Sequence, residues 1–274
     1  MRQGDVGGLT LHWLWNFDRP WSGFLRENVK FLERLFYFLV AEDREQFGVD
    51  WLEQKPPVDV NDSGSGPNTW RGQLLRSLIK AHLDLDFHGC ADSALRLFFR
   101  VAGEVEQECS RVSDRASMED LARTSLWPAT VEIMGALMRG SFLHTNPVLY
   151  DQMRAWRSAA VMGVEGDAEF DAACLLLYHP LKPSADDMLK VLRQRFDGKD
   201  GATLQGALPA SSRGRVLLAM KTRQAARILQ RQGREIDAAW ATPEGDGITA
   251  RREHPQTIRR VNTKGESVLS QAPS

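Results

Sequence analysis

The sequence predicts an all-α fold, either an antiparallel helical bundle or an irregular helical array. Three observations point there. Apolar residues recur at three- and four-residue steps in one segment after another. Segments that alternate apolar and polar residues are few, and valine- or threonine-rich runs are almost absent. Helix start and stop signals fall at the edges of the periodic stretches.

The elements follow in chain order. In FLRENVKFLERLFYFLV (24–40), Leu25, Val29, Leu32, Phe36 and Leu39 form one helical face, widened by Phe24, Phe31 and Phe38. An apolar face this wide needs more than one neighbour. Trp13, Trp15, Phe17 and Trp21 precede it and need cover as well. Trp13, Trp15, Trp21, Phe31 and Phe38 are therefore candidates for a protein interface, with burial in the core as the plainer expectation. Residues 53–69, EQKPPVDVNDSGSGPNT, have the composition of a linker loop. This divides the chain into an aromatic-rich segment (1–52), the linker (53–69), a main helical domain (70–240) and a polar tail (241–274) expected to be flexible.

Within the main domain, Leu75, Ile79, Leu83 and Phe87 make a stripe that Gly89 stops. Asp92 suits the N-cap of a helix carrying Leu95, Phe98, Ala102, Val105 and Cys109. Its Glu104, Glu106 and Glu108 form an acidic flank. Pro128 suits the first turn of a third helix ending near Gly140, and Asn146-Pro147 starts a fourth. A short apolar helix covers 168–178, and Ser184 with Asp187 resembles a capping box for 185–197. Ser211 or Ser212 then opens a long helix to about Trp240. No fixed-period repeat is visible.

The 274 residues suit one large domain or a domain with extensions, and 42% hydrophobic content can supply a core. A net charge of −1 gives no global attraction to nucleic acid or membrane. Cys90, Cys109 and Cys174 form neither a CxxC nor an even set, so reduced thiols and an intracellular protein are expected. The N-terminus, MRQGDVGGLTLHWLWNFDRPW, lacks the pattern of a secretory signal. The charges inside 24–40 argue against a membrane span.

HLDLDFHGC (82–90) places His82, Asp84, Asp86, His88 and Cys90 on alternate positions. As a strand the set would span roughly 26 Å, too far for one ion. As a helix His82 pairs with Asp86 and Asp84 with His88, but the two couples face opposite ways. No metal site is expected from it, and no cofactor from the chain. G-x-x-x-x-G-K-[ST], a dinucleotide fingerprint and G-x-S-x-G are all absent. GDVGG (4–8) follows no strand.

Arg76-Ser-Leu-Ile-Lys-Ala-His82 and Arg139-Gly-Ser-Phe-Leu-His144 resemble the R-x4-6-H signature of HEPN ribonucleases. The resemblance implies a helical bundle in which Arg76, His82, Arg139 and His144, from paired protomers, act on an RNA phosphodiester. The polar residue usual after the arginine is Ser77 in the first match; Gly140 departs from the pattern in the second.

RGRVLLAMKTRQAARILQRQGR (213–234) holds seven basic residues and no acidic one. Arg223, Arg227, Arg231 and Arg234 line one helical edge, with Arg213 and Arg215 upstream. Residues 211–262 carry eleven basic and five acidic residues, +6, leaving about −7 for the rest. Such segregation suits a phosphate-facing strip, an anionic membrane surface or an acidic partner. The sequence therefore leads to a non-enzymatic assembly or scaffold subunit, homo-oligomeric or with a protein partner. An RNA-binding, nucleoprotein-like subunit is the alternative, and a HEPN-like ribonuclease a further one.

Overall fold

The computed structural model describes residues 5–16, 25, 28–53, 67–158, 168–196 and 212–242. Every element among them is a helix, so the all-α expectation is met. The chain forms two compact units, Met1–Ser184 and Ala185–Ser274. The first contains α1 (Val6–Trp15), α2 (Val29–Ala41), α3 (Gln46–Glu53), α4 (Pro67–Leu85), α5 (Asp92–Cys109), α6 (Arg115–Leu137), α7 (Pro147–Ser158) and α8 (Ala168–Leu176). The second contains α9 (Asp186–Phe196), α10 (Ser212–Arg231) and α11 (Glu235–Ala241). Leu32, Phe36 and Leu39 of α2 share one core with Leu75, Leu78 and Ile79 of α4. The expected linker from residue 54 to 66 and the expected tail beyond residue 242 lie outside the described residues.

α4, α5 and α6 form the centre of the first unit. Arg71 near the start of α4 pairs with Glu104 and Glu108 near the end of α5, so these helices are antiparallel. Two of the three acidic-flank residues are thereby spent internally, while Glu106 is exposed. α4 and α6 run parallel. Gly72 packs on Thr124 and Pro128, and Arg76 pairs with Glu132 further along both helices. A Cβ on Gly72 would land inside the Thr124 carbonyl oxygen. Only glycine permits this approach.

Several helix boundaries differ from the sequence reading. α4 ends at Leu85, so Phe87 leaves the stripe and is 83% exposed. Asp92 is not the N-cap of α5: it opens the first turn, and its Oδ1 accepts from the Asn146 N–H (2.7 Å). That bond stitches the turn after α4 to the turn after α6, as does the His144 N–H to the Gly89 carbonyl (3.0 Å). Pro128 lies inside α6, which starts at Arg115 behind an Asp114 cap that accepts from the Ser117 N–H (2.8 Å). Pro128 has no N–H to give the Thr124 carbonyl. Thr124 is where Gly72 sits. The expected long helix to Trp240 breaks at Gly233, whose φ of +73° lies in the left-handed region.

α7 and α8 close the first unit with buried polar contacts. The Tyr150 hydroxyl donates to the Leu175 carbonyl (2.8 Å), and burial pushes its pKa up. The Phe98 and Trp156 rings meet edge-on at 4.9 Å. Arg157, 5% exposed, donates from Nε (3.0 Å) and Nη2 (2.8 Å) to Asp171 Oδ2 and lies over the Trp127 ring. In the second unit, Met188, Leu189, Val191 and Leu192 of α9 are buried, as are Ala225, Ile228 and Leu229 of α10.

Candidate functional site

The features singled out in the sequence reach the structure in three groups. The first is the N-terminal helix pair. α1 contains no charged side chain other than His12. Leu11 and Leu14 turn into the core, while Val6, Leu9 and Trp13, at steps of three and four, are 41%, 68% and 46% exposed. Trp13 meets Phe31 of α2 with ring centres 6.4 Å apart. Phe38 lies two turns beyond Phe31 on α2 and is exposed, with its ring edge-on to Tyr37. Phe31 is half-buried against the core. The structure thus brings Trp13, Phe31 and Phe38 onto the α1–α2 pair. The side chain of Trp15, and Trp21 altogether, lie outside the described residues.

GDVGG acquires a role here that sequence reasoning missed. Asp5 caps α1 by accepting from the Gly8 N–H (2.9 Å), and Arg44 pairs with Asp5 (2.9 Å). Glu42, at the end of α2, accepts from the Gly7 N–H (2.9 Å) and the Gly8 N–H (3.3 Å). A Cβ on Gly7 would come within 2.7 Å of Glu42 Oε2. The glycines let the chain's own carboxylate occupy a helix N-terminus that would otherwise favour an anion. No sequence spacing announces this, because the partners are over thirty residues apart.

The second group is the R-x-H pair set. Arg76 pairs with Glu33 (3.3 Å) and Glu132 (3.2 Å), tying α4 to α2 and α6. His82, with an 11% exposed side chain, sets Nε2 3.0 Å from Glu45 Oε2. The expected His82–Asp86 and Asp84–His88 couples do not form. Asp84 takes Lys80 (2.8 Å), and Asp86 accepts from the His88 N–H (2.9 Å). Six helical residues place Arg76 and His82 on different sides of α4. Arg139 and His144 are exposed in the turn between α6 and α7, and neither side chain has a hydrogen-bond partner among the described residues. No cluster of three or more His, Cys, Asp or Glu suited to a metal ion occurs among the described residues. The three cysteines are free thiols, and burial pushes Cys90 and Cys109 up, away from the thiolate.

His82 has a consequence for stability. Desolvation lowers its pKa from the ordinary imidazole value, and the Glu45 carboxylate only partly opposes this. A depressed folded-state pKa means stability that is full above the unfolded value, about 6.5, and lost as pH falls toward the folded one. The urea midpoint is expected to drop between pH 7.5 and pH 5.5, and to drop less in His82→Gln. Equal drops in the two proteins would remove His82 as the cause.

The third group is the basic helix. Arg223, Arg227 and Arg231 are exposed on α10, with Val216 and Met220 exposed on the same edge. None of the three arginines has a hydrogen bond or ion pair among the described residues. Arg234 behaves differently. Behind the Gly233 break it pairs with both Asp186 and Asp237, and these bonds raise its pKa and lower that of Asp237. Arg193 joins through Asp237 at 2.6 Å. Arg234 is therefore a clasp of the second unit. The side chains of Arg213 and Arg215 lie outside the described residues.

No helix among the described residues is long and apolar enough to cross a membrane. No protein-family model, no curated protein and no solved structure matches the chain.

Proposed function

We propose that the chain is a non-enzymatic assembly subunit whose α1–α2 surface docks against a second copy of itself. The observation that carries this reading is the two-sided apolar character of α1. Leu11 and Leu14 attach it to the core, Val6, Leu9 and Trp13 remain outside, and Trp13 lies against Phe31 of α2, the helix on which Phe38 is also exposed. Apolar residues that line up on one edge mark an interaction surface more often than scattered ones do. A helix without charged side chains carries little to orient a different, charge-matched partner. It suits an isologous contact in which the same patch lies on both sides. Aromatic side chains are favoured anchors of such contacts.

The ribonuclease reading draws less support from the side chains. The two carboxylates on Arg76 neutralise the charge that a phosphate would need, and Glu45 holds His82. Sedimentation velocity over a range of concentrations tests the assembly reading. The wild type is expected to move as a dimer or larger species. Leu9→Glu is expected to shift it toward monomer, with α-helical content unchanged by circular dichroism. A wild type that stays monomeric at high concentration would overturn the proposal.

A further inference from the structure

The two compact units have opposite charge. Ala185–Ser274 holds 16 basic and 10 acidic residues, +6, whereas Met1–Ser184 holds 19 and 26, −7. Within the second unit the cations are not equivalent. Arg193 and Arg234 are spent on Asp237 and Asp186, and Lys221 is buried. Arg223, Arg227 and Arg231 remain on the exposed edge of α10, with no carboxylate paired to them among the described residues. Four-residue steps set successive arginines about 6 Å apart along the axis, in a gently winding row.

We infer that this row binds the phosphate backbone of a single-stranded nucleic acid. It goes beyond the assembly reading and does not depend on it. Each guanidinium presents a fork of donors that matches phosphate oxygens. A strand supplies one negative charge per nucleotide, so a line of three cations can engage successive phosphates. Binding of this kind is electrostatic and independent of base sequence. An acidic protein fits the row less well. Protein interfaces are built around an apolar centre depleted of charge. Between Arg223 and Arg231 the exposed positions are Arg223, Arg227, Gln230 and Arg231, with no apolar anchor among them. Val216 and Met220 lie only at the upstream end of the edge.

Fluorescence anisotropy with a labelled, mixed-sequence single-stranded RNA of about twenty nucleotides, titrated with the full chain from 50 to 300 mM salt, tests the inference. Wild type is expected to bind at low salt and weaken steeply as salt rises. Three phosphate contacts on a single strand correspond to a log–log slope of about −2. Arg223→Gln, Arg227→Gln and Arg231→Gln together should abolish most of the binding and flatten the slope by about 2. Arg111→Gln, exposed in the other unit, should leave both unchanged. The row is exposed, so the triple variant should keep its helical content and melting temperature. Leu9→Glu separates the two proposals, because it should dissociate the assembly while a monomer still binds RNA through the row. No binding at 50 mM salt would overturn the inference. So would binding that the triple variant retains, or a triple variant that binds normally while losing capture of an acidic protein.

Discussion

Gly72→Ala is expected to destabilise the first unit by roughly 3 kcal/mol, at the upper end of the overpacking range. For a domain of this size that lowers the melting temperature by about 6–12 °C. Helix propensity alone predicts the opposite sign, since alanine in a helix interior is favoured over glycine by about 1 kcal/mol. The two effects are decided by what the new methyl meets. On Gly72 it would meet the Thr124 carbonyl oxygen, a backbone atom that cannot swing aside, with Pro128 Cγ at 3.2 Å behind it. Either α4 and α6 separate or one of them bends. The internal control is Gly103 in α5, where a Cβ meets nothing within 4 Å. Gly103→Ala is expected to stabilise by about 0.5–1 kcal/mol. Thermal denaturation of both variants checks the pair. A Gly72→Ala protein at least as stable as wild type would mean that α4 and α6 do not cross at this residue.

Asp171→Ala is expected to cost about 3–5 kcal/mol, because it strands the buried guanidinium of Arg157 without its partner. The pair joins α7 to α8, and the cation also lies 5.3 Å from the centre of the Trp127 ring on α6. Removing the cation instead should be milder. In Arg157→Met the remaining carboxylate keeps 29% of its surface exposed and can hydrate, while the methionine fills the same space and retains a favourable contact with the indole. The expected order of stability in urea titration is wild type, then Arg157→Met, then Asp171→Ala. If both variants lose the same amount, the pair is not closed to water as its 5% exposed arginine implies.

Much of the helical framework was legible in local spacing. Leu75, Ile79 and Leu83 fall on the buried face of α4, and Leu95, Phe98, Ala102 and Val105 on that of α5. The start of α7 at Pro147 and the extent of α5 to Cys109 also follow from the sequence. Apolar period and turn residues act within a few positions, so they can be read without knowing the fold. Three boundaries could not be read this way. Pro128 looked like a helix start, but α6 runs through it. Phe87 continued the period of α4, but the helix had already ended. Gly233 looked like an interior glycine of a long helix and proved to be its end.

The geometry of the candidate site was legible only in part. Residue type singled out Trp13, Trp15, Trp21, Phe31 and Phe38; of these, Trp13 meets Phe31 across α1 and α2, and Phe38 is exposed on α2 with its ring against Tyr37. Spacing also grouped Arg234 with Arg223, Arg227 and Arg231, although Arg234 is spent on Asp186 and Asp237. By itself the sequence determined the helical class and the concentration of positive charge near the C-terminal end, because both are sums over neighbouring residues. Only the tertiary structure decided which charges are already used. Arg76 meets Glu33 and Glu132, and Gly7 meets Glu42, across tens of residues. Ion pairs form between side chains that packing brings within about 4 Å, and at those separations the order of residues along the chain carries no distance.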